Sequence, residues 1–159
     1  MSVNKYQPHV LVLPEDDANR QLANDFVLEV QHYRQIQILP EAGGWTNVCE
    51  TFLSEHVKGM RKYPERHLVL LLDFDDQSER SDKVKEKIPE DLRGRVFLLG
   101  VQSEPEALKQ AGLGSFEDIG RSLGKECREG IEEIWRHDLL QQNASEINRL
   151  ERTVRGFLF

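Results

Sequence analysis

Acidic residues follow the apolar runs of this sequence, and they are the side chains best suited to do chemistry. One apolar run, residues 9–13, leads into Glu15, and another, residues 67–72, leads into Asp73 and Asp75. In open parallel sheets, ligands bind outside the carboxyl ends of the strands. If both runs are strands of such a sheet, the three carboxylates meet at one edge. The spacing therefore predicts an acidic cluster.

A cluster of this kind is suited to a divalent cation. Carboxylates held within a few ångströms repel one another, and at least one pKa rises unless a cation compensates. Hard oxygen ligands suit Mg²⁺ or Mn²⁺, and such ions can polarise a phosphoryl oxygen or, in pairs, clamp an in-line displacement. We predict Asp73 and Asp75 as metal ligands, and Glu104 and Glu106 as candidates for a second ion. Helix capping is the competing interpretation for their neighbours Asp16, Asp17 and Asp76.

The elements that must position these acids alternate between short apolar runs and helical patterns. This alternation predicts an α/β fold, a small four-stranded and mostly parallel sheet flanked by helices. Strands are expected at residues 9–13, 35–39, 67–72 and 95–99. The continuous Leu/Val run of the third is typical of a strand buried on both faces. Helices are expected at about residues 17–32, after Gly43-Gly44, and around residues 82–88.

The last third of the chain has a different pattern, with no further strand after Glu104. We predict one domain, residues 1–159, in which residues 8–110 form the α/β core and residues 111–159 a helical extension. Ser115 and Asp118 have the spacing of a helix start.

Two more helices are expected in this extension. One covers the apolar stripe within residues 131–139, and the other starts at a capping box formed by Asn143 and Glu146. The extension should pack on the sheet. Its apolar end, Phe157-Leu158-Phe159, alternatively indicates a docking surface for a partner.

The acidic pattern also carries a family resemblance. A strand ending in Glu15, a later strand ending in Asp73-Phe74-Asp75, and the small sheet between them resemble the Toprim domain. This module occurs in topoisomerases, primases, OLD-family nucleases and small RNA maturases. The resemblance covers residues 8–110, although Asp16 stands where the family has a glycine and no glycine follows within residues 75–79.

The resemblance implies a metal-dependent phosphodiester hydrolase acting on DNA or RNA. Glu15 would be the catalytic general acid or base, or a neighbour of the metal, and Asp73 and Asp75 the metal-binding Asp-x-Asp. Glu104 or Glu106 would supply the further acid found in nuclease-like branches. Gly43 or Gly44 would match a glycine after the second strand. Because OLD-type Toprim domains work attached to ATPase modules, an ATPase partner is also implied.

The alternative is a non-catalytic interaction or signalling module. The stretch LVLPEDDANR resembles the first strand of a response-regulator receiver, in which Asp73 would be the phosphoacceptor. Ser103 offers the hydroxyl expected after the fourth strand. The separation from Glu15 to Asp73 is long for a receiver, however, and no fifth strand ending in Lys is predicted. Four strands favour the Toprim-like interpretation.

Composition limits the partners. The net charge of −7 argues against non-specific coating of nucleic acid. Binding would need a local basic patch, for which Lys83, Lys87 and Arg93 are candidates, a solvated helix face being the alternative. Cys49 and Cys127 are far apart, which indicates free thiols and a cytoplasmic protein. The apolar runs are far shorter than a membrane span.

Overall fold

The predicted α/β fold is confirmed by the computed structural model, which describes residues 3–159. Its sheet has four parallel strands in the order β2-β1-β3-β4. The strands are β1 (His9–Pro14), β2 (Ile36–Ile38), β3 (Arg66–Leu71) and β4 (Val96–Leu99). Since all four run in one direction, their last residues lie along one edge of the sheet, called the carboxyl edge below.

Helices cover both faces of this sheet. They are α1 (Asp17–Val27), α2 (Trp45–Thr51), α3 (Val57–Lys62), α4 (Glu79–Lys87), α5 (Pro105–Gln110), α6 (Phe116–Glu129), α7 (Ala144–Thr153) and α8 (Arg155–Leu158). Leu11 and Leu13 pack with α2, α3 and α4 on one face, and Val10 and Val12 pack with α1, α7 and α8 on the other. This explains why the strands are apolar at consecutive positions. No helix within residues 3–159 has the length and apolar character needed to cross a bilayer.

The helix after Gly43-Gly44 departs from the expected pattern. A π-helical segment, Phe52–His56, joins α2 to α3. A π turn holds more residues than an α turn, so it shifts the side chains that follow around the helix axis. Within this segment Phe52 is 1% exposed and Leu53 is 42% exposed.

Close contact between α1 and α6 depends on two glycines. A Cβ atom at Gly120 would lie 2.7 Å from the Leu22 carbonyl oxygen, and one at Gly124 would lie 2.8 Å from the Phe26 carbonyl oxygen. Neither distance is sterically possible without moving a helix. At the start of α6, Ser115 and Asp118 form the predicted capping box.

The helix expected within residues 131–139 is not formed. Gly130 adopts a left-handed conformation, with φ of 72°, and ends α6. The buried Glu126 carboxylate then accepts backbone N–H bonds from Glu133, Ile134 and Trp135, at 2.9 to 3.3 Å. A side chain thus satisfies the donors that would otherwise bond to helical carbonyls, and the apolar stripe packs as an irregular segment.

The capping box expected at Asn143 and Glu146 is also wrong. Neither side chain caps α7. Asn143 Oδ1 accepts the Gly100 N–H at 3.1 Å and its Nδ2 donates to the Gly100 carbonyl at 2.9 Å. Glu146 Oε1 accepts the Leu98 N–H at 3.0 Å. These side chains occupy the edge of β4 where a fifth strand would pair, so the edge is closed without one.

The apolar chain end packs on the sheet. Leu158 is buried, and its carbonyl accepts the His32 N–H at 3.0 Å. The Phe159 ring lies edge-on to Phe26 at 6.3 Å between centroids. Packing of this segment agrees with the first of the two expectations, and docking of a partner there stays a prediction.

Candidate metal centre

Glu15 leaves β1 at the carboxyl edge, where its backbone is fixed on both sides. Its N–H donates to the Leu71 carbonyl at 2.8 Å, and its carbonyl accepts the N–H groups of Gly43 at 2.8 Å and Gly44 at 3.2 Å. Both glycines have positive φ, 89° and 128°, which other residues rarely adopt. The Gly43-Gly44 turn therefore serves to hold the Glu15 backbone.

Asp16 and Asp73 converge on this position from two elements. Asp16 is the N-cap of α1, and its Oδ1 accepts the Asn19 N–H at 2.9 Å. Asp73 follows β3 and is 8% exposed. The Asp73 N–H donates to Glu15 Oε1 at 3.3 Å, which ties the ends of the two strands together. Asp16 thus fulfils the capping role that its sequence position suggested and also faces the other acids.

Glu15, Asp16 and Asp73 each present an oxygen, and the three oxygens lie within 4.8 Å of one another. We call these three residues the acidic cluster. Among residues 3–159, no lysine, arginine or histidine forms an ion pair with any of them. Their negative charges are therefore not neutralised by a direct contact within this part of the chain.

Asn19 orients the cluster, and sequence reasoning missed it. Its Nδ2 group donates to Oδ1 of Asp16 and to Oδ1 of Asp73, both at 2.9 Å. Asn19 is completely buried, and its own amide oxygen has no hydrogen-bond partner within residues 3–159. The signal available in the sequence was its position, three residues after an N-cap. Only the packing of α1 against β3 brings it to Asp73.

The pKa values of Asp73 and Glu15 reflect first the burial and then the crowding of these acids. Burial raises the pKa of Asp73 from 3.8 to about 7, and the charges of Glu15, Asp16 and Glu106 add to the rise, against the hydrogen bond from Asn19. Burial also raises the pKa of Glu15, opposed mainly by the hydrogen bond from the Asp73 N–H. Both carboxyl groups are thus easier to protonate than ordinary ones, which is the expected response to burial of a carboxylate, with repulsion between the acids adding to it.

Asp75 is not among the residues that the structure brings together in the cluster. It has a positive φ of 54°, its side chain is 61% exposed, and its Oδ2 lies 3.6 Å from Arg80 Nη2. The left-handed backbone at Asp75 and at Asp76, with φ of 57°, turns the chain away after Phe74. The side chain of Asp75 therefore lies beside the cluster, close enough for its charge to raise the pKa of Glu15.

Arg80 supplies positive charge behind the cluster. It is 6% exposed, its Nη1 donates to the Asp73 carbonyl oxygen at 2.7 Å, and its guanidinium lies 4.8 Å from the Trp45 ring centroid. Its charge lowers the pKa of Glu15. Arg80 therefore holds the Asp73 backbone without pairing with the Asp73 carboxylate.

The two glutamates predicted after the fourth strand lie at the start of α5. Glu104 is its N-cap residue and Glu106 is in its first turn, and both are exposed. The charge of Glu106 contributes to the raised pKa of Asp73, so Glu106 faces the cluster across solvent. Neither glutamate is one of the three clustered ligands.

Two of the three basic residues proposed to bind nucleic acid lie away from the cluster. Lys83 and Lys87 are exposed on α4, which runs from the carboxyl edge back towards the amino ends of the strands. Arg93 precedes β4, and its Nε donates to the Ile88 carbonyl at 3.2 Å. Lys87 and Arg93 therefore lie towards the amino ends of the strands, whereas Asp73 lies at the carboxyl edge.

The chain matches no protein-family model, no curated protein and no solved structure.

Proposed function

We propose that the chain is a divalent-metal-dependent phosphodiester hydrolase acting on nucleic acid, with the metal held by Glu15, Asp16 and Asp73. One observation carries the proposal: three carboxylate oxygens within 4.8 Å of one another, at the carboxyl edge of a parallel sheet. Ligands of such sheets bind at this edge. The Toprim-like pattern of Glu15 and Asp73 supports the reaction class.

The donor set fits a hard cation. All three donors are carboxylates, which Mg²⁺ and Mn²⁺ prefer. Asn19 binds only Oδ1 of Asp16 and of Asp73, so within residues 3–159 the second oxygen of each makes no hydrogen bond. The pKa of Asp73 is raised chiefly by burial, and repulsion from the neighbouring acids adds to the rise. A bound cation would favour the ionised form of Asp73 at neutral pH.

In this proposal the side chains have distinct roles. When bound, the metal would polarise a phosphoryl oxygen and lower the pKa of a water molecule. Asp73, Asp16 and Glu15 would together hold the cation, and the second carboxylate oxygen of Glu15, whose pKa is raised by burial, is the group proposed to accept a proton from an attacking water. Asp75 and Glu106 are exposed beside the cluster and are available to a second ion. Arg80 and Asn19 hold Asp73 in place.

Metal binding is tested first, because it precedes any activity. The Mn²⁺ affinity of the wild-type chain is measured by electron paramagnetic resonance and compared with Asp73→Asn, Asp75→Asn and Asp17→Asn. We expect Asp73→Asn to abolish Mn²⁺ binding. Asp75→Asn should weaken it only about threefold, because solvent and salt screen the exposed Asp75 carboxylate from the cation. Asp17→Asn is the matched control, since Asp17 is the exposed first residue of α1, next to Asp16, and is not part of the acidic cluster. Equal affinities in all four proteins would refute the site.

Activity is tested with the same variants. The wild-type chain with Mg²⁺ or Mn²⁺ should nick plasmid DNA or cut RNA, alone or with an ATPase partner. Asp73→Asn and Glu15→Gln should be inactive, and Asp17→Asn should keep activity. If the wild-type chain binds Mn²⁺ but leaves DNA and RNA intact under all these conditions, the metal site stands and the hydrolase is refuted.

A receiver-like role for Asp73 is the second candidate. It is favoured because Asp73 meets the adjacent pair Glu15 and Asp16, whereas Asp75 lies outside, and because flavodoxin-like folds share the strand order found here. The side chains of Asn143 and Glu146 on the β4 edge count against it, since they stand where a fifth strand would pair. Acetyl phosphate with Mg²⁺ should add one phosphoryl group to Asp73 if this role is correct, and mass spectrometry of wild type and Asp73→Asn decides.

A further inference from the structure

A cavity of about 140 Å³ lies between the sheet and the helical layer of α1, α6, α7 and α8. Val12 and Val69 line it on the sheet, Ala23 on α1, Leu123 on α6 and Ile147 on α7. All five side chains are at most 7% exposed. These walls belong to the apolar core on this face of the sheet, and the cavity is open at its partly exposed rim, which includes Glu151 and Arg155.

This volume exceeds that of the voids ordinarily found in protein interiors. Protein interiors are packed as densely as organic crystals, and voids that exceed one water molecule are few. An engineered apolar cavity of about 150 Å³ in another protein stays dry and binds benzene or xenon. A cavity of the size found here, with walls of valine, leucine, isoleucine and alanine, has room for one aromatic ring and offers water few partners.

The polar groups on its wall do not select a charged ligand. Asn143 is engaged with the Gly100 backbone, and the Nδ2 group of Asn19 is engaged with the acidic cluster. Cys127 also lines the cavity, and burial raises the pKa of its thiol to about 12, which keeps it neutral. Glu151 and Arg155, at the α7 and α8 end, are partly exposed, and Arg155 donates to the Arg128 carbonyl at 3.0 Å.

We propose that this cavity is a binding site for a small, uncharged, apolar molecule of the size of a single aromatic ring. The site does not depend on the proposed hydrolase activity, because its ligand contacts apolar side chains rather than the carboxylates. Asn19 is shared by the two sites, lining the cavity and holding Asp16 and Asp73.

Benzene is the probe for this proposal. In the wild-type chain, benzene titrated into the protein should cause saturable shifts of the methyl NMR signals of Val12 and Val69. The signals of Leu72 and Leu98, which belong to the core on the other face of the sheet, should not move. Absence of saturable shifts, or equal shifts on both faces, would overturn the proposal.

A filled cavity gives the matched comparison. Ala23→Leu adds three carbon atoms inside the cavity, and Ala144→Leu adds the same atoms at an exposed position. We expect at least about tenfold weaker benzene binding in Ala23→Leu and unchanged binding in Ala144→Leu. If Ala23→Leu does not fold, Val12→Ile, which adds one carbon, replaces it. Unchanged binding in the filled variant that folds would also overturn the proposal, and neither outcome bears on Mn²⁺ binding at Asp73.

Discussion

Replacing Asp73 with asparagine should stabilise the metal-free protein at neutral and higher pH, although it removes the proposed metal ligand. The folded pKa of Asp73 is raised from 3.8 to about 7, chiefly by burial. Between these values the folded state holds a proton that the unfolded state has lost. Stability should therefore fall as the pH rises through this window and level off above it. The asparagine side chain of the variant would have no charge to bury and could still accept a hydrogen bond from Asn19.

The size of the effect follows from the pKa values. Each pKa unit corresponds to about 1.4 kcal/mol. Between about pH 5 and the folded pKa of about 7, Asp73 should therefore lower the free energy of unfolding by about 3 kcal/mol, and this loss should be complete at about pH 8. Because the urea dependence of unfolding is about 1 to 3 kcal/mol per molar, the wild-type midpoint should fall by about 1 to 3 M relative to that of Asp73→Asn. Urea unfolding of both proteins at the two pH values, with chelator, measures this difference.

Comparison between the two proteins removes the contributions of titrating groups that do not interact with Asp73. Burial lowers the pKa values of His9, His56 and His67, so these side chains add a pH dependence of their own to both proteins. A divalent cation at about 100 times its dissociation constant should restore about 2.7 kcal/mol to the wild type at high pH and nothing to the variant. If the two midpoints change in parallel with pH, Asp73 is not a buried acid in an uncompensated cluster.

Two further predictions concern the elements that support the site. Glu146→Ala should lower the free energy of unfolding by about 2 to 4 kcal/mol, because the buried Leu98 N–H at the edge of β4 loses its acceptor. Urea unfolding measures this change. A value below about 0.5 kcal/mol would show that water replaces the Glu146 carboxylate without cost. Gly124→Ala should cost about 1 to 3 kcal/mol, since its Cβ would lie 2.8 Å from a carbonyl oxygen of α1. Gly156→Ala, in helix α8 with no atom within 4 Å, should instead be neutral or stabilise by up to about 1 kcal/mol in the same measurement. Equal effects of the two glycine substitutions would refute the close contact between α1 and α6.

Close packing of acids in the cluster lowers the stability of the folded protein. Proteins keep destabilising groups where function requires them. The acidic cluster, with Asn19 buried beside it and Arg80 bound to the backbone of Asp73 rather than to its carboxylate, has this character. The predicted gain in stability of Asp73→Asn together with loss of Mn²⁺ binding would establish that trade-off directly.

The sequence by itself determined those features that depend on neighbouring residues. The continuous Leu/Val run of residues 67–72 predicted β3 as a parallel strand, because both faces of this strand are buried. The spacing of Ser115 and Asp118 predicted a capping box, since its hydrogen bonds join residues three apart. The positions of Glu15 and Asp73 at the ends of β1 and β3 followed from strand direction alone, because parallel strands end at one edge.

Only the tertiary structure decided which side chains complete the site. The left-handed backbone of Asp75 turns it outward, and no local pattern distinguishes it from Asp73. Asn19 reaches Asp73 across 54 residues of sequence. Glu146 was expected to cap its own helix, yet its carboxylate binds the edge of β4. In each case the local sequence allowed the side chain several hydrogen-bond partners. Packing of the helices on the sheet decided which partner it meets, because it brings backbone N–H groups and carboxylates from distant parts of the chain within hydrogen-bonding distance.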